Sequence, residues 1–142
     1  MIRRLDHIGI SVASMERAIA FYRDRFGMEV VAQEVFAGPL YEQILALEGA
    51  TGRVALLRHG ELRLELFEFE RPSPRPSDPA RPVCDYGITH FGIEVSGLPM
   101  MYERLKAAGV SFHCPPLDFG STRATYARDP DGNVIELIEL IR

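Results

Sequence analysis

Apolar and polar positions alternate through Asp6–Val12, DHIGISV, placing Ile8, Ile10 and Val12 on one side of a strand and His7, Gly9 and Ser11 on the other. The alternation returns at Thr89–Val95, THFGIEV, with Phe91, Ile93 and Val95 against His90, Gly92 and Glu94. After each strand the period lengthens to that of a helix. In the first half Ser14 is a helix cap, Ala18, Phe21 and Tyr22 share a face, and Gly27 is the stop. In the second half Pro99 lies near a helix start, Met101, Leu105 and Ala108 share a face, and Gly109 is the stop. From histidine to stop glycine the distance is 20 residues (7 to 27) and then 19 (90 to 109). One structural register is used twice.

Strand patterns follow in both halves. GRVALLRHGELRLELFEF holds two β-rich runs joined at His59-Gly60, and STRATYARDPDGNVIELIEL holds two joined by the turn residues Asp129-Pro130-Asp131-Gly132-Asn133. With a less defined strand around Glu29–Glu34 and another around Val110–His113, the order in each half is strand, helix, three strands. The predicted fold is therefore α+β, two tandem βαβββ modules. Residues 71–82, RPSPRPSDPARP, carry five prolines, which exclude a helix or a central strand and favour a stiff extended connector. This places the first module at 1–70, the linker at 71–82 and the second module at 83–142. The linker also carries PxxP spacing, but a connector is required here in any case.

Composition narrows the function classes. With 46% hydrophobic and 25% charged residues and a net charge of −4, the chain has the profile of a globular protein, and it shows no basic stripe of the kind that binds nucleic acid. No apolar run reaches membrane-helix length, and the N-terminus lacks the apolar stretch of a secretory signal. The expectations are no nucleic acid, no membrane and a cytoplasmic location. Cys84 and Cys114 form no CxxC pair and read as small apolar fillers.

The polar face of each first strand carries a histidine with a glycine two positions on, which leaves room beside the imidazole. In LRLELFEF, Leu64 and Leu66 take the apolar side and Glu65 the other; in NVIELIEL, Ile135 and Leu137 take the apolar side and Glu136 the other. Each half thus sets a carboxylate on the face that carries a histidine. Either histidine alone reads as an ordinary strand residue, whereas four residues at matched positions of a repeat read as a ligand set. Imidazole with carboxylate suits a divalent metal: Zn, Ni, Co, Mn or Fe.

DHIGISV, FYRDRFGMEVV, LELFEF, THFGIEV and above all ARDPDGNVIELIEL make the chain resemble the vicinal oxygen chelate superfamily. That superfamily includes glyoxalase I, methylmalonyl-CoA epimerase, extradiol ring-cleaving dioxygenases and the fosfomycin- and bleomycin-resistance proteins. The resemblance covers almost the whole chain. It implies two βαβββ modules in a cup-shaped sheet around a metal held by His7, Glu65, His90 and Glu136. That ligand set resembles those of glyoxalase I and, less closely, of methylmalonyl-CoA epimerase. It implies a metal-dependent isomerase, lyase or epimerase that chelates the oxygens of a small-molecule substrate, with Glu65 or Glu136 moving a proton next to a carbonyl. The alternatives are an Fe(II)-dependent ring-cleaving dioxygenase and a non-catalytic small-molecule (antibiotic) binding protein.

The resemblance further implies a homodimer. Glu42, Tyr41, Arg123 and Tyr126 are weaker candidates for the rim or wall of the cup, and His59 and His113 are not expected as ligands. Residues 32–52 read as a long connector, with Phe36, Leu40, Tyr41 and Ile44 giving it the apolar character of a lid or a dimer contact.

Overall fold

The computed structural model describes residues 1–141. Chain contacts divide it into two compact units, Met1–Pro76 and the part from Ser77 onward, and the division falls inside the proline-rich segment. Both units have the mixed α+β character that the strand and helix periodicities predict.

In the first unit the order is β1 (Ile8–Ser11), α1 (Met15–Phe26), β2 (Glu29–Phe36), α2 (Pro39–Leu45), β3 (Thr51–His59) and β4 (Leu62–Arg71). The sheet order is β1-β4-β3-β2, with β1 parallel to β4 and the other pairs antiparallel. Helix α1 begins where Ser14 Oγ accepts from the Arg17 amide at 3.2 Å, and it ends at Gly27 in the left-handed conformation. Met15, Ala18 and Tyr22 are its buried face. Ile10, Leu57, Leu64 and Leu66 contribute the buried side of the sheet.

The connector over 32–52 is more ordered than its composition implies. Its first part completes β2, and Pro39 at the helix start opens the seven-residue α2. Phe36 closes β2 as a fully buried ring against Phe67 and Phe69, at centroid distances of 5.6 and 5.4 Å. Gly52 lies beneath that ring. A Cβ there would stand 2.2 Å from the Glu68 carbonyl oxygen and 2.8 Å from Phe36, so only glycine fits.

The second unit runs β5 (Phe91–Glu94), α3 (Leu98–Ala107), β6 (Ser111–Phe112), β7 (Leu117–Asp118), β8 (Thr122–Arg128) and β9 (Val134–Leu140). Its order is β5-β9-β8-β6, with β5 parallel to β9 and β7 also paired to β8. Two expectations are corrected here. The buried face of α3 is Leu98, Tyr102 and Leu105, not the stripe through Met101 and Ala108; Ala108 is already the C-cap, and α3 ends one residue before it. The strand expected at Val110–His113 has only two residues, because Pro115 and Pro116 have no N–H with which to continue the ladder.

The turn between β8 and β9 is organised by one buried carboxylate. Asp129 Oδ1 accepts from the amides of Asp131 and Asn133, and Oδ2 accepts from the Asn133 side chain, all at 2.9 Å. Gly132 completes it at φ 86°, where a Cβ would meet the Pro79 carbonyl oxygen at 2.3 Å. This turn fixes the register Tyr126↔Glu136 that the site depends on.

Candidate metal centre

In the first unit the parallel register sets Gly9 opposite Glu65, and His7 precedes β1 on the face that Gly9 leaves open. A Cβ on Gly9 would meet nothing within 4 Å. His7 Nε2 lies 3.8 Å from Glu65 Oε2. The other ring nitrogen is 3.0 Å from Asp6 Oδ2. That hydrogen bond, together with Arg63 and Arg4, holds the Asp6 carboxyl below its ordinary pKa, so Asp6 is an ionised acceptor. An ionised acceptor requires the hydrogen on Nδ1, which directs Nε2 to Glu65.

The second unit repeats the arrangement. Gly92 stands opposite Glu136, and His90 Nε2 is 3.3 Å from Glu136 Oε2. The partner of Nδ1 is the Thr89 hydroxyl at 2.8 Å in place of a carboxylate. Tyr126, the cross-strand neighbour of Glu136, packs its ring 4.8 Å from that of His90. Burial, reinforced by the Glu136 charge, pushes the Tyr126 hydroxyl above its ordinary pKa and keeps it protonated.

A second pair of glutamates, three residues on, supports the first. Glu68 accepts from the Met15 amide at the start of α1 at 2.5 Å, and it binds Arg53, its cross-strand partner, at 2.7 Å. Glu139 likewise accepts from the Gly97 amide at the start of α3 and faces its cross-strand partner Arg123 at 3.4 Å. Both tie the helix start to the strand that carries the candidate ligand. The repeated ELFE and ELIE (65–68 and 136–139) carried this signal, as DH and TH carried the signal for Asp6 and Thr89; sequence reasoning used neither.

The weaker candidates divide. Arg123 belongs to the face opposite Glu136, engaged with Glu139 and Asp118, and so it is not a wall residue. Tyr41 donates to Glu34 at 2.7 Å, and that bond is the first cause of its raised pKa, with a smaller contribution from Glu65. Glu42 lies half-buried on α2. His59 contacts the Gly27 carbonyl at 3.1 Å, within β3 and away from either pair. His113 accepts from Arg128 Nε at 3.0 Å and packs 5.7 Å from Tyr126. Cys84 and Cys114 are both free thiols; Cys84 is exposed rather than a buried filler.

Each pair suits a shared cation by donor chemistry. Two ligands about 2.1 Å from one metal, at angles between octahedral and tetrahedral, stand roughly 3.0–3.4 Å apart. The 3.3 Å pair has that separation and the 3.8 Å pair is a few tenths wider. Among the described residues no group of three or more His, Cys, Asp or Glu side chains is gathered closely enough to hold a metal ion. Within each unit one imidazole faces one carboxylate.

Residues 4–137 match the Glyoxalase/Bleomycin resistance protein/Dioxygenase superfamily. The chain belongs to this superfamily. It is 30% identical over 135 residues to a lactoylglutathione lyase of Haemophilus influenzae, covering 94% of this chain and 90% of the relative. It is 28% identical over 139 residues to the uncharacterized protein YaeR of Escherichia coli, covering 97% of each. A glyoxalase family protein from Bacillus cereus has the same fold, with a TM-score of 0.90 at 23% identity, covering 100% of this chain and 97% of that one. No helix among the described residues is long and apolar enough to cross a membrane.

Proposed function

We propose that the chain is a metal-dependent lyase, isomerase or epimerase of the glyoxalase type, with His7, Glu65, His90 and Glu136 as its divalent-metal ligands. The observation that carries this reading is the duplicated pair. In both units a histidine just before the first strand turns Nε2 to a carboxylate on the parallel neighbouring strand, and its Nδ1 is held by the residue before it. Such outer partners fix the tautomer and orientation of a ligating imidazole. The likeness to lactoylglutathione lyases supports the reaction class.

A bound divalent metal supplies Lewis acidity to a carbonyl oxygen and so acidifies the neighbouring C–H. The chain supplies the rest. Glu65 and Glu136 are the bases within reach of such a proton, taking it from carbon on a carboxylate oxygen and returning it to the adjacent carbon or the opposite face. Tyr126, kept protonated, covers one side of His90 and excludes water there. The exposed apolar residues of α2, Leu40 and Ile44, and Val35 of β2 support a homodimer. Light scattering should give twice the chain mass at micromolar concentration.

Metal content tests the site. Protein loaded with zinc or nickel should retain close to one equivalent per His/Glu/His/Glu set after dialysis. Glu136→Gln should lose affinity by about 10- to 100-fold while remaining folded, since a neutral amide is a poorer ligand. Glu139→Gln, on the opposite face, should keep its metal. Full retention by both variants, or loss in Glu139→Gln alone, overturns the ligand assignment. Iron with substrate-dependent oxygen uptake would point to a dioxygenase, and the absence of any metal after supplementation to a binding protein.

A further inference from the structure

Beside Glu136 the second unit forms an open cavity of about 240 Å3, lined by His113, Leu117, Phe119, Ala124, Tyr126 and Glu136 with few other neighbours. Its walls are mostly apolar, with Leu117 and Phe119 half or more exposed at its mouth. It exists because Pro115 and Pro116 break the edge strand into β6 and β7, so the segment between them does not lie flat on β8.

Three features define what fits. The first is size. An apolar cavity of ~150 Å3 accepts benzene, and drug-sized ligands take ~300–1,000 Å3, so this one suits a ring or short branched chain with a few polar atoms. The second is charge. Among the described residues no Lys or Arg lines the cavity. The Arg128 guanidinium, which reaches His113, is also spent on the carbonyls of Gly132 and Arg81, each at 2.9 Å. An anionic tail would find no partner and would meet Glu136.

The third is a fixed donor. His113 Nε2 accepts from Arg128, and burial together with the Arg128 charge pushes the ring's pKa down, so the ring is neutral and its hydrogen is on Nδ1. No hydrogen bond from Nδ1 to another described residue is present. The residues that line the cavity therefore combine apolar side chains with His113, whose ring carries a neutral N–H, and the Glu136 carboxylate.

We infer that this cavity holds the uncharged apolar substituent of the substrate, a small aryl or branched-alkyl α-hydroxy carbonyl compound, with His113 Nδ1–H donating to a substrate oxygen. The charged tail of a peptide–thiol or nucleotide–thiol does not fit this cavity. The inference rests on the proposed role of Glu136, and it is tested so that the two can fail separately.

The probes are 2-hydroxyacetophenone, hydroxyacetone, which lacks the ring, and glutathione, which is anionic, each titrated by amide NMR into chelator-stripped and zinc-loaded protein. 2-Hydroxyacetophenone should shift the amides of His113, Leu117–Phe119 and Ala124–Tyr126 in both forms, and bind at least ~10-fold tighter than hydroxyacetone. Ala124→Leu, which fills the cavity, should remove that preference without changing zinc uptake. His113→Phe keeps the ring and removes the donor, and should weaken 2-hydroxyacetophenone by ~5-fold or more. Should Ala124→Leu not fold, Leu117→Asp at the exposed mouth serves the same purpose, since its charge disfavours an apolar ring. Equal binding of the two ketones, insensitivity to these variants, or stronger binding of glutathione at the same amides overturns the inference. If zinc is not retained but stripped protein still prefers the ring, the metal reading fails and the cavity assignment stands.

Discussion

The two units agree on the strands that carry the candidate ligands and differ at the far edges of their sheets. In both, a parallel pair, β1 with β4 and β5 with β9, sets a glycine opposite a glutamate and a histidine beside it. At the other edge the first unit has the eight-residue β2, closed by Phe36 and followed by α2. The second unit has two fragments of two residues each. A ligand pair requires a fixed register, and register is set by the inner ladder and its turn. An edge strand pairs on one side only, so it can be broken or extended without moving that ladder. The duplicated motif is thus held constant while the edges become a helix in one unit and a cavity in the other.

The two units should differ most at their sheet edges. Phe36→Ala should cost about 3–5 kcal/mol, since a fully buried ring leaves Phe67 and Phe69 around a void. Phe112→Ala, in β6 and only half-buried against Tyr102, should cost about half as much or less. Urea midpoints measure both, and equal losses would mean that the broken edge is as firmly built as the intact one. Next come the supporting glutamates. Glu68→Ala strips a partner from Arg53 and an acceptor from the Met15 amide and should cost about 2–3 kcal/mol, while Glu139→Ala, whose arginine contact is long, should cost about 1 kcal/mol.

The smallest effect concerns the glycines beside the histidines. A Cβ on Gly92 would stand 3.4 Å from Glu136 Oε2, whereas one on Gly9 would meet nothing within 4 Å. Gly92→Ala should therefore weaken metal retention by roughly 3-fold through a displaced carboxylate, and Gly9→Ala should leave it within about 2-fold. Competition with a chromogenic chelator measures this, and the opposite order would show that the two half-sites are not built alike.

Much of this was legible in the order of residues alone. Alternation with a period of two put His7, Gly9 and Glu65 on one face and Ile8, Ile10, Leu64 and Leu66 on the other, because a pleated strand leaves no other choice. The cap at Ser14, the stop at Gly27 and the DPDGN turn were equally local, since each depends on a side chain or a φ value within a few residues. The buried stripe of α3 was misread by one position. Met101 and Tyr102 are both apolar enough to be buried, and only the docking of α3 on its sheet chose Tyr102.

What the sequence could not decide depended on residues far apart in the chain. The pairing of Glu68 with Arg53 and Met15, and of Glu139 with Arg123 and Gly97, follows from strand register and helix placement, which no local pattern encodes. The cavity beside Glu136 is an absence of chain, created by two prolines that withhold amides from β8, and its fixed donor on His113 exists only because Arg128 faces that ring across the ladder. Periodicity determines which face a side chain takes, because that is a property of the backbone repeat. Partners across the sheet and empty volumes are properties of how segments pack, and only the tertiary structure sets them.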